Sequence, residues 1–159
     1  MHSQSDYIQT NEVHDYLAAH EGNIMPTISE LQRRVGEVNV ANGWRETPDL
    51  APEMQVKQDI VELALITTEV SEAIEELRVG YPSDQKYYSG SNVSPYNPDE
   101  SHNPDGTLRK PEGVRSELAD IVIRALDFAD KRGIDLESDV LEKLEYNATR
   151  GYRHGGKVA

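Results

Sequence analysis

The sequence predicts an all-α protein with four main helices. In four segments, apolar residues recur at steps of three and four positions, which is the spacing of one face of an α-helix. Residues that cap or break a helix stand at most ends of these segments. No segment alternates apolar and polar residues with the two-residue period of a half-buried strand. Together these observations favour a helical class over a mixed one.

The first two helices are predicted in the N-terminal half of the chain. The first lies in "TISELQRRVGEVNVANGW", where Thr27 or Ser29 can cap the start and Gly43 can close the end. Its apolar stripe consists of Ile28, Leu31, Val35 and Val38. The second and longer helix is predicted from about Gln55 to Arg78, because glycine and proline follow it in "GYP".

The third and fourth helices are predicted in the C-terminal half. The third lies in "VRSELADIVIRALDFADKRG" and ends at Gly133, which suits the left-handed conformation of a helix C-cap. Asp135 can cap the fourth, "LESDVLEKLEYNATRG". The apolar stripe of this last helix consists of Leu136, Val140, Leu141 and Leu144.

A length of 159 residues predicts a single domain over residues 1–159. Three parts lie outside the four helices: an N-terminal segment of uncertain order at 1–26, a long insertion at 81–113 and a basic, glycine-rich tail at 151–159. The insertion separates the second and third helices. Loops of this length in a compact domain are usually functional or mobile, and a short hairpin within it is compatible with the sequence.

The chain is strongly acidic, with 16 Lys and Arg against 29 Asp and Glu and a formal net charge of -13. This balance argues against a nucleic acid or a membrane as partner, because a protein that binds either presents a basic surface. The absence of cysteine excludes disulfides, thiolate metal sites and cysteine nucleophiles. No apolar run approaches the roughly 18 residues of a membrane span, and the N-terminus lacks a signal pattern. We therefore expect a soluble, cytoplasmic protein.

The second helix carries five glutamates within "VELALITTEVSEAIEEL", although like charges one turn apart repel each other. Helical spacing places one stripe of this helix at Glu62, Leu65, Glu69, Glu72 and Glu76. Val61 and Leu65 accompany the acids, so we expect this part of the helix to be largely buried. A solvated face explains most glutamate-rich helices. Ionised carboxylates are rarely buried, however, unless they are paired or bind a metal.

The third helix repeats the pattern in "ELAD", where Glu117 and Asp120 lie one turn apart. Taken alone, this motif is typical of a solvated face. Two facing helices that each offer such a pair form an all-oxygen site, which Mg²⁺ prefers, with Mn²⁺ as the alternative. A di-iron centre is disfavoured, because that architecture uses Glu-x-x-His and no histidine here follows a glutamate at that spacing.

The C-terminal part of the chain supplies positive charge. Lys143, Asn147 and Arg150 share one face of the fourth helix, and no acid follows Glu145 in "YNATRGYRHGGKVA". The glycines allow backbone N–H groups to approach an anion. Beside a carboxylate-bound cation, this face and tail predict a polyphosphate clamp. The alternative is a frayed basic tail.

The motifs "EVSEAIEE", "ELADIVIRALDFADKRGIDL" and "EKLEYNATRGYRHGGK" together resemble the MazG-like all-α nucleoside triphosphate pyrophosphohydrolases. Relatives of that family are the dCTP and dUTP pyrophosphatases and phosphoribosyl-ATP pyrophosphatase. The resemblance covers about Ile28 to the C-terminus. E-x-x-E alone is weak, but E-x-x-E followed by E-x-x-D and K-x-x-x-N-x-x-R is fairly specific. The resemblance implies a four-helix bundle core, a nucleoside triphosphate substrate and a homodimer or homotetramer.

The resemblance also implies roles for individual residues. The two acidic pairs would bind Mg²⁺, which makes metal ligands of Glu69, Glu72, Glu117 and Asp120. Residues that would contact the nucleotide or lie near its phosphates are Lys143, Asn147, Arg150, Arg153, His154 and Lys157. Trp44 resembles an aromatic residue that faces the base in the dCTP-hydrolysing relatives, although a lone tryptophan more often belongs to a core.

The implied reaction is attack of a metal-activated water on the triphosphate, which releases a monophosphate and pyrophosphate. Glu69 or Glu72 would be the catalytic base. The long insertion departs from the family pattern, and its four tyrosines would either stack on a base or cover a subunit interface, which we favour. Two other functions stay open: a module that binds nucleotide without cleaving it, and a helical interaction protein.

Overall fold

The computed structural model describes residues 26–45, 50–89 and 101–150. Within these ranges the chain is all-α apart from one small hairpin, as the sequence predicts. The elements are α1 (Ile28–Ala41), α2 (Pro52–Arg78), β1 (Tyr87–Tyr88), β2 (Pro111–Glu112), α3 (Val114–Arg132) and α4 (Leu136–Thr149). The chain divides into two compact units, Met1–Pro48 with Ala129–Ala159, and Asp49–Phe128. The packing of the four helices into one bundle stays a prediction.

The first unit begins with the predicted cap of α1. Thr27 Oγ1 accepts a hydrogen bond from the Glu30 backbone N–H at 3.1 Å, and Glu30 Oε2 accepts one from the Thr27 N–H at 3.1 Å. This reciprocal capping box satisfies two backbone donors that have no partner within the helix. Past the other end of α1, Gly43 has a φ of 77°, a conformation that glycine adopts without strain.

The helices α1 and α4 contact each other within this unit. Asp135 caps α4 as predicted, because its side chain accepts a hydrogen bond from the Ser138 N–H at 3.1 Å. The Ser29 N–H donates to Glu137 Oε2 at 2.8 Å, and this bond ties the start of α1 to the first turn of α4. Gln32 Nε2 donates to the Ile134 carbonyl at 2.8 Å and adds a second tie.

A glycine allows close packing on α1. Gly36 is buried, and a Cβ at this position would overlap the Asp130 carboxylate near the end of α3. Asp130 Oδ2 in turn accepts a hydrogen bond from Arg45 Nη1 at 2.6 Å. The missing side chain therefore makes room for an ion pair that links the ends of two helices.

The second unit contains α2 and the hairpin. The helix α2 begins at Pro52, three residues before the predicted start at Gln55, because proline has a backbone angle suited to the first helical turn and needs no donor there. It ends at Arg78 as predicted. The strands β1 and β2 then pair antiparallel, with Tyr87 opposite Glu112 and Tyr88 opposite Pro111. The insertion thus holds a short hairpin, which the sequence left open.

Side-chain contacts attach this hairpin to both neighbouring helices. The Tyr87 hydroxyl contacts both carboxylate oxygens of Glu76 on α2, at 3.0 and 3.2 Å. Ser116 Oγ, in the first turn of α3, donates to the Pro111 carbonyl at 2.9 Å. The turn between β2 and α3 is Gly113, which has a φ of 95° and lies so close to Gln85 that a Cβ would be 2.8 Å from its carbonyl oxygen.

The expected burial of α2 around its acids is wrong for the residues that the structure describes. Val61 is 52% exposed, and Leu65 and Val70 are exposed as well. Buried hydrophobic residues in the described ranges are Ala73, Val114, Leu126 and Ala129. Helical spacing identifies a common face but not whether anything covers it. None of the helices in these ranges combines the length and the apolar character that a membrane span needs.

Candidate metal centre

Three carboxylates meet where α2 approaches the start of α3. Glu69, Glu72 and Glu117 each offer one carboxylate oxygen, and these oxygens all lie within 4.8 Å of one another. The spacing of three residues puts the first two acids on one face of α2, while Glu117 lies in the first turn of α3 next to the hairpin. Glu69 is 5% exposed and Glu117 is 4% exposed, whereas Glu72 is open to solvent. We call this group the acidic cluster.

Glu117 is the most unusual member of the acidic cluster. Its side chain is almost fully buried. Burial first, and then the charges of Glu72 and Asp120, raise the pKa of this carboxyl to about 7, although the charge of Lys110 acts in the opposite direction. Burial disfavours the ionised form of a carboxyl, and a bound cation would favour it.

Glu69 has a partner within the same unit. Arg124, on α3, donates a hydrogen bond from Nε to Glu69 Oε1 at 2.7 Å, and its Nη2 lies 2.6 Å from the same oxygen. The spacing of seven residues from Glu117 to Arg124 is two helical turns, so both side chains lie on one face of α3. That spacing places Arg124 on the face of α3 that carries Glu117, but it does not predict the contact with Glu69 on α2.

Asp120 is the fourth predicted ligand, and it does not belong to the acidic cluster. It is half-buried, and burial and the charge of Glu69 raise the pKa of its carboxyl, while Arg124 and Lys110 act in the opposite direction. The structure therefore brings three of the four predicted ligands together. The role of Asp120 as a ligand stays a prediction.

Lys110 lies beside the acidic cluster and was not singled out from the sequence. Its Nζ contacts Glu112 Oε2 at 2.9 Å. That hydrogen bond raises the pKa of the lysine, and so do the charges of Glu112, Glu117 and Glu72, although burial opposes them. No sequence signal could have identified this residue, because its position depends on how the hairpin folds back.

The donor set fits a hard divalent cation. All three ligand atoms are carboxylate oxygens, which Mg²⁺ and Mn²⁺ prefer. Glu117 is 4% exposed, and burial raises the pKa of its carboxyl, so a cation here would offset the cost of holding this carboxyl in its ionised form. Glu69, Glu72 and Glu117 are the residues that would hold it, with Asp120 as the predicted fourth.

The predicted nucleotide-binding residues of α4 lie in the first unit. Lys143, Asn147 and Arg150 are all exposed. Lys143 Nζ lies 5.1 Å and the Arg150 guanidinium carbon 5.9 Å from the centre of the Tyr146 ring. Two cations therefore gather on one aromatic ring, which is a favourable arrangement in itself.

The remaining predicted site residues have different outcomes. Trp44 follows α1 and is 75% exposed, so it is not a core residue and its face is open for stacking. Arg153, His154 and Lys157 lie outside the described residues.

Comparison with protein-family models, with curated proteins and with solved structures gave no match to this chain. The resemblance to the MazG-like pyrophosphohydrolases therefore rests on the motifs themselves.

Proposed function

We propose that this protein is a Mg²⁺-dependent nucleotide pyrophosphohydrolase that cleaves a nucleoside or deoxynucleoside triphosphate to the monophosphate and pyrophosphate. One observation carries the proposal: Glu117 is 4% exposed, and its oxygen lies within 4.8 Å of oxygens of Glu69 and Glu72. The cluster arises from E-x-x-E and E-x-x-D motifs, and the order of these motifs in the chain is that of the family it resembles.

The surroundings of each carboxylate suggest its role. When bound, Mg²⁺ supplies a Lewis acid that lowers the pKa of water and neutralises charge on the phosphates. Glu69 is already held by Arg124, which fixes its orientation. Glu72 is exposed and so can reach a water molecule, which makes it the better candidate for the base that takes the proton. The water oxygen would bond to the α-phosphorus as the anhydride bond to the β-phosphate breaks, so that the monophosphate forms and pyrophosphate leaves.

The resemblance assigns the substrate contacts to basic residues and Trp44. Lys143, Asn147 and Arg150 would contact the nucleotide, with Arg153, His154 and Lys157 near the phosphates. The exposed ring of Trp44 would stack on the base. Proteins that bind triphosphates commonly combine a cation held by carboxylates with basic side chains on the outer phosphate oxygens.

We also propose that the protein works as a homodimer or a homotetramer. The support is the amount of apolar surface that one chain leaves open, which on α2 includes Ile60 at 62% exposure, Val61 and Ile74. Large exposed apolar patches on a protein usually mark interaction sites. Another copy of the same chain is always available as a partner, and symmetric homodimers are the commonest assemblies.

A panel of nucleoside triphosphates tests the catalytic proposal. We expect at least one to yield pyrophosphate and monophosphate in equal amounts with Mg²⁺, and none to do so with EDTA. Glu117→Gln should lower that rate by about a hundredfold or more, as expected for loss of a metal ligand. The matched control is Glu75→Gln on the same helix, because Glu75 pairs with Arg78 at an exposed position and should be dispensable.

The opposite result is equally clear. If no triphosphate is cleaved with Mg²⁺ or Mn²⁺ but nucleotide still binds, the protein is a binding module. If neither nucleotide nor metal binds, the acidic face serves another purpose, such as contact with a partner protein.

A further inference from the structure

The hairpin of the insertion brings one lysine to the edge of the acidic cluster. Lys110 directly precedes β2, and its backbone carbonyl accepts a hydrogen bond from the Ser89 N–H at 3.0 Å. The hairpin is held to α2 by the Tyr87–Glu76 contact and to α3 by the Ser116–Pro111 bond. The backbone at Lys110 is therefore fixed, while its side chain stays largely exposed.

The charges around Lys110 are nearly all negative. Its ammonium contacts Glu112 at 2.9 Å and also lies within electrostatic reach of Glu117 and Glu72. Arg124, the other cation at this site, is engaged with Glu69. Lys110 thus combines three properties: a backbone held by the hairpin, a largely exposed side chain and a position within electrostatic reach of Glu117 and Glu72.

We propose that Lys110 is a phosphate-binding residue. Its ammonium would break the contact with Glu112 and bind a phosphate oxygen of a substrate held at Glu69, Glu72 and Glu117. This inference rests on the proposed function and assigns a role to the insertion. When a polyphosphate binds a cation that is held by carboxylates, some of its negatively charged oxygens do not contact the cation. A lysine beside the site can bind these oxygens, because its ammonium is a compact charge on a flexible side chain. The ion pair between Lys110 and Glu112 is exposed and contributes little to stability, so Lys110 can readily exchange Glu112 for a phosphate oxygen.

The test measures metal binding and pyrophosphate binding separately by calorimetry. The ligands are MgCl₂ alone and then inorganic pyrophosphate in saturating Mg²⁺, so the readout does not depend on turnover. Lys110→Met should lower pyrophosphate affinity by about tenfold, the value of one charge-assisted hydrogen bond. Its affinity for Mg²⁺ alone should stay the same or rise, because a positive charge beside the cluster is removed.

Three further variants sharpen the test. Glu112→Gln removes the resting partner of Lys110 and should strengthen pyrophosphate binding. Lys110→Arg should keep most of the affinity, since it retains the charge. Lys57→Met is the matched control, because Lys57 is an exposed lysine on α2 and its loss should change neither affinity. In turnover, Lys110→Met should raise KM more than it lowers kcat.

Two outcomes of the titrations would overturn the role of Lys110 alone, and a third would overturn the proposed function as well. Unchanged pyrophosphate affinity in Lys110→Met overturns the inference and leaves the proposed function standing. Parallel loss of Mg²⁺ and pyrophosphate binding overturns it too, because the lysine would then only support the fold. If the wild-type protein binds no Mg²⁺, the proposed function and this inference fail together.

Discussion

Arg124 Nε on α3 donates a hydrogen bond to Glu69 Oε1 on α2 at 2.7 Å, and Arg124 Nη2 lies 2.6 Å from the same oxygen. The guanidinium neutralises one of the three clustered carboxylates and connects the two helices that carry them. Glu69 is 5% exposed, so the guanidinium is a charged partner for a buried group. The pair therefore explains how an acidic cluster can persist in the metal-free protein.

We expect Arg124→Met to destabilise the metal-free protein by about 2 kcal/mol, because it leaves a buried carboxylate without its donor. Urea unfolding in EDTA measures this loss. Arg78→Met is the control, since the Arg78–Glu75 pair is exposed and its loss should change stability by less than about 0.5 kcal/mol. The double variant Arg124→Met with Glu69→Gln should recover much of the loss. An Arg124→Met protein as stable as the wild type would show that the pair has no such role.

The second prediction concerns pH. The pKa of Glu117 is raised from the ordinary 4.5 to about 7 in the folded protein, so the folded state holds this proton more tightly than the unfolded state. The stability that the protonated Glu117 carboxyl contributes is fully present below about pH 4.5 and is lost as pH rises to about 7. Urea unfolding of the metal-free protein from pH 5 to pH 8 measures this fall.

Glu117→Gln is the control for the pH experiment, because glutamine has no proton to lose. The variant should show a shallower pH dependence than the wild type and should be the more stable of the two at pH 8 without metal. Mg²⁺ should stabilise the wild type more at pH 8 than at pH 5. Parallel pH profiles for the two proteins would contradict the assignment of Glu117 as a strained carboxylate.

The third prediction concerns close packing in the first unit. Gly36→Ala should destabilise the protein by about 1–3 kcal/mol, because the new methyl group overlaps the Asp130 carboxylate that pairs with Arg45. Thermal or urea unfolding measures the effect. Asp130→Ala removes the carboxylate that the new methyl group overlaps. In that background, Gly36→Ala should destabilise the protein less than it does in the wild type. If Gly36→Ala is equally harmful in both backgrounds, overlap with Asp130 is not its cause.

The fourth prediction concerns assembly. Light scattering at micromolar concentration should show a dimer or a tetramer, since α2 leaves many apolar residues uncovered. Ile60→Glu should shift the protein towards monomer, because Ile60 is 62% exposed and a charge there would be buried at an interface. Lys57→Glu is a control for added acidity on the same helix. A fully active monomer in the wild type would rule out a functional need for assembly.

Local sequence signals predicted the helices because caps and turns act over a few residues. Thr27, Gly43, Asp135 and Gly133 stand where the sequence places them, and only the start of α2 at Pro52 differs. Helical spacing also brought Glu69 and Glu72 to one face.

The contacts that spacing does not encode could not be predicted. The exposure of Val61 depends on which elements cover α2, and the place of Lys110 depends on how the insertion folds back. The Arg124–Glu69 pair joins residues far apart in the chain, so local patterns give only the face on which each lies.

Calorimetric titration with Mg²⁺, repeated with Mn²⁺, tests most directly whether the acidic cluster is a metal site. We expect saturable binding to the wild-type protein, with loss of that binding in Glu117→Gln and in Glu72→Gln and no change in Glu75→Gln. The affinity should fall as pH is lowered below about 7, because protons then compete for Glu117. If the wild type binds neither cation, or if Glu117→Gln binds as tightly as the wild type, then Glu69, Glu72 and Glu117 do not form the centre of a metal-dependent hydrolase.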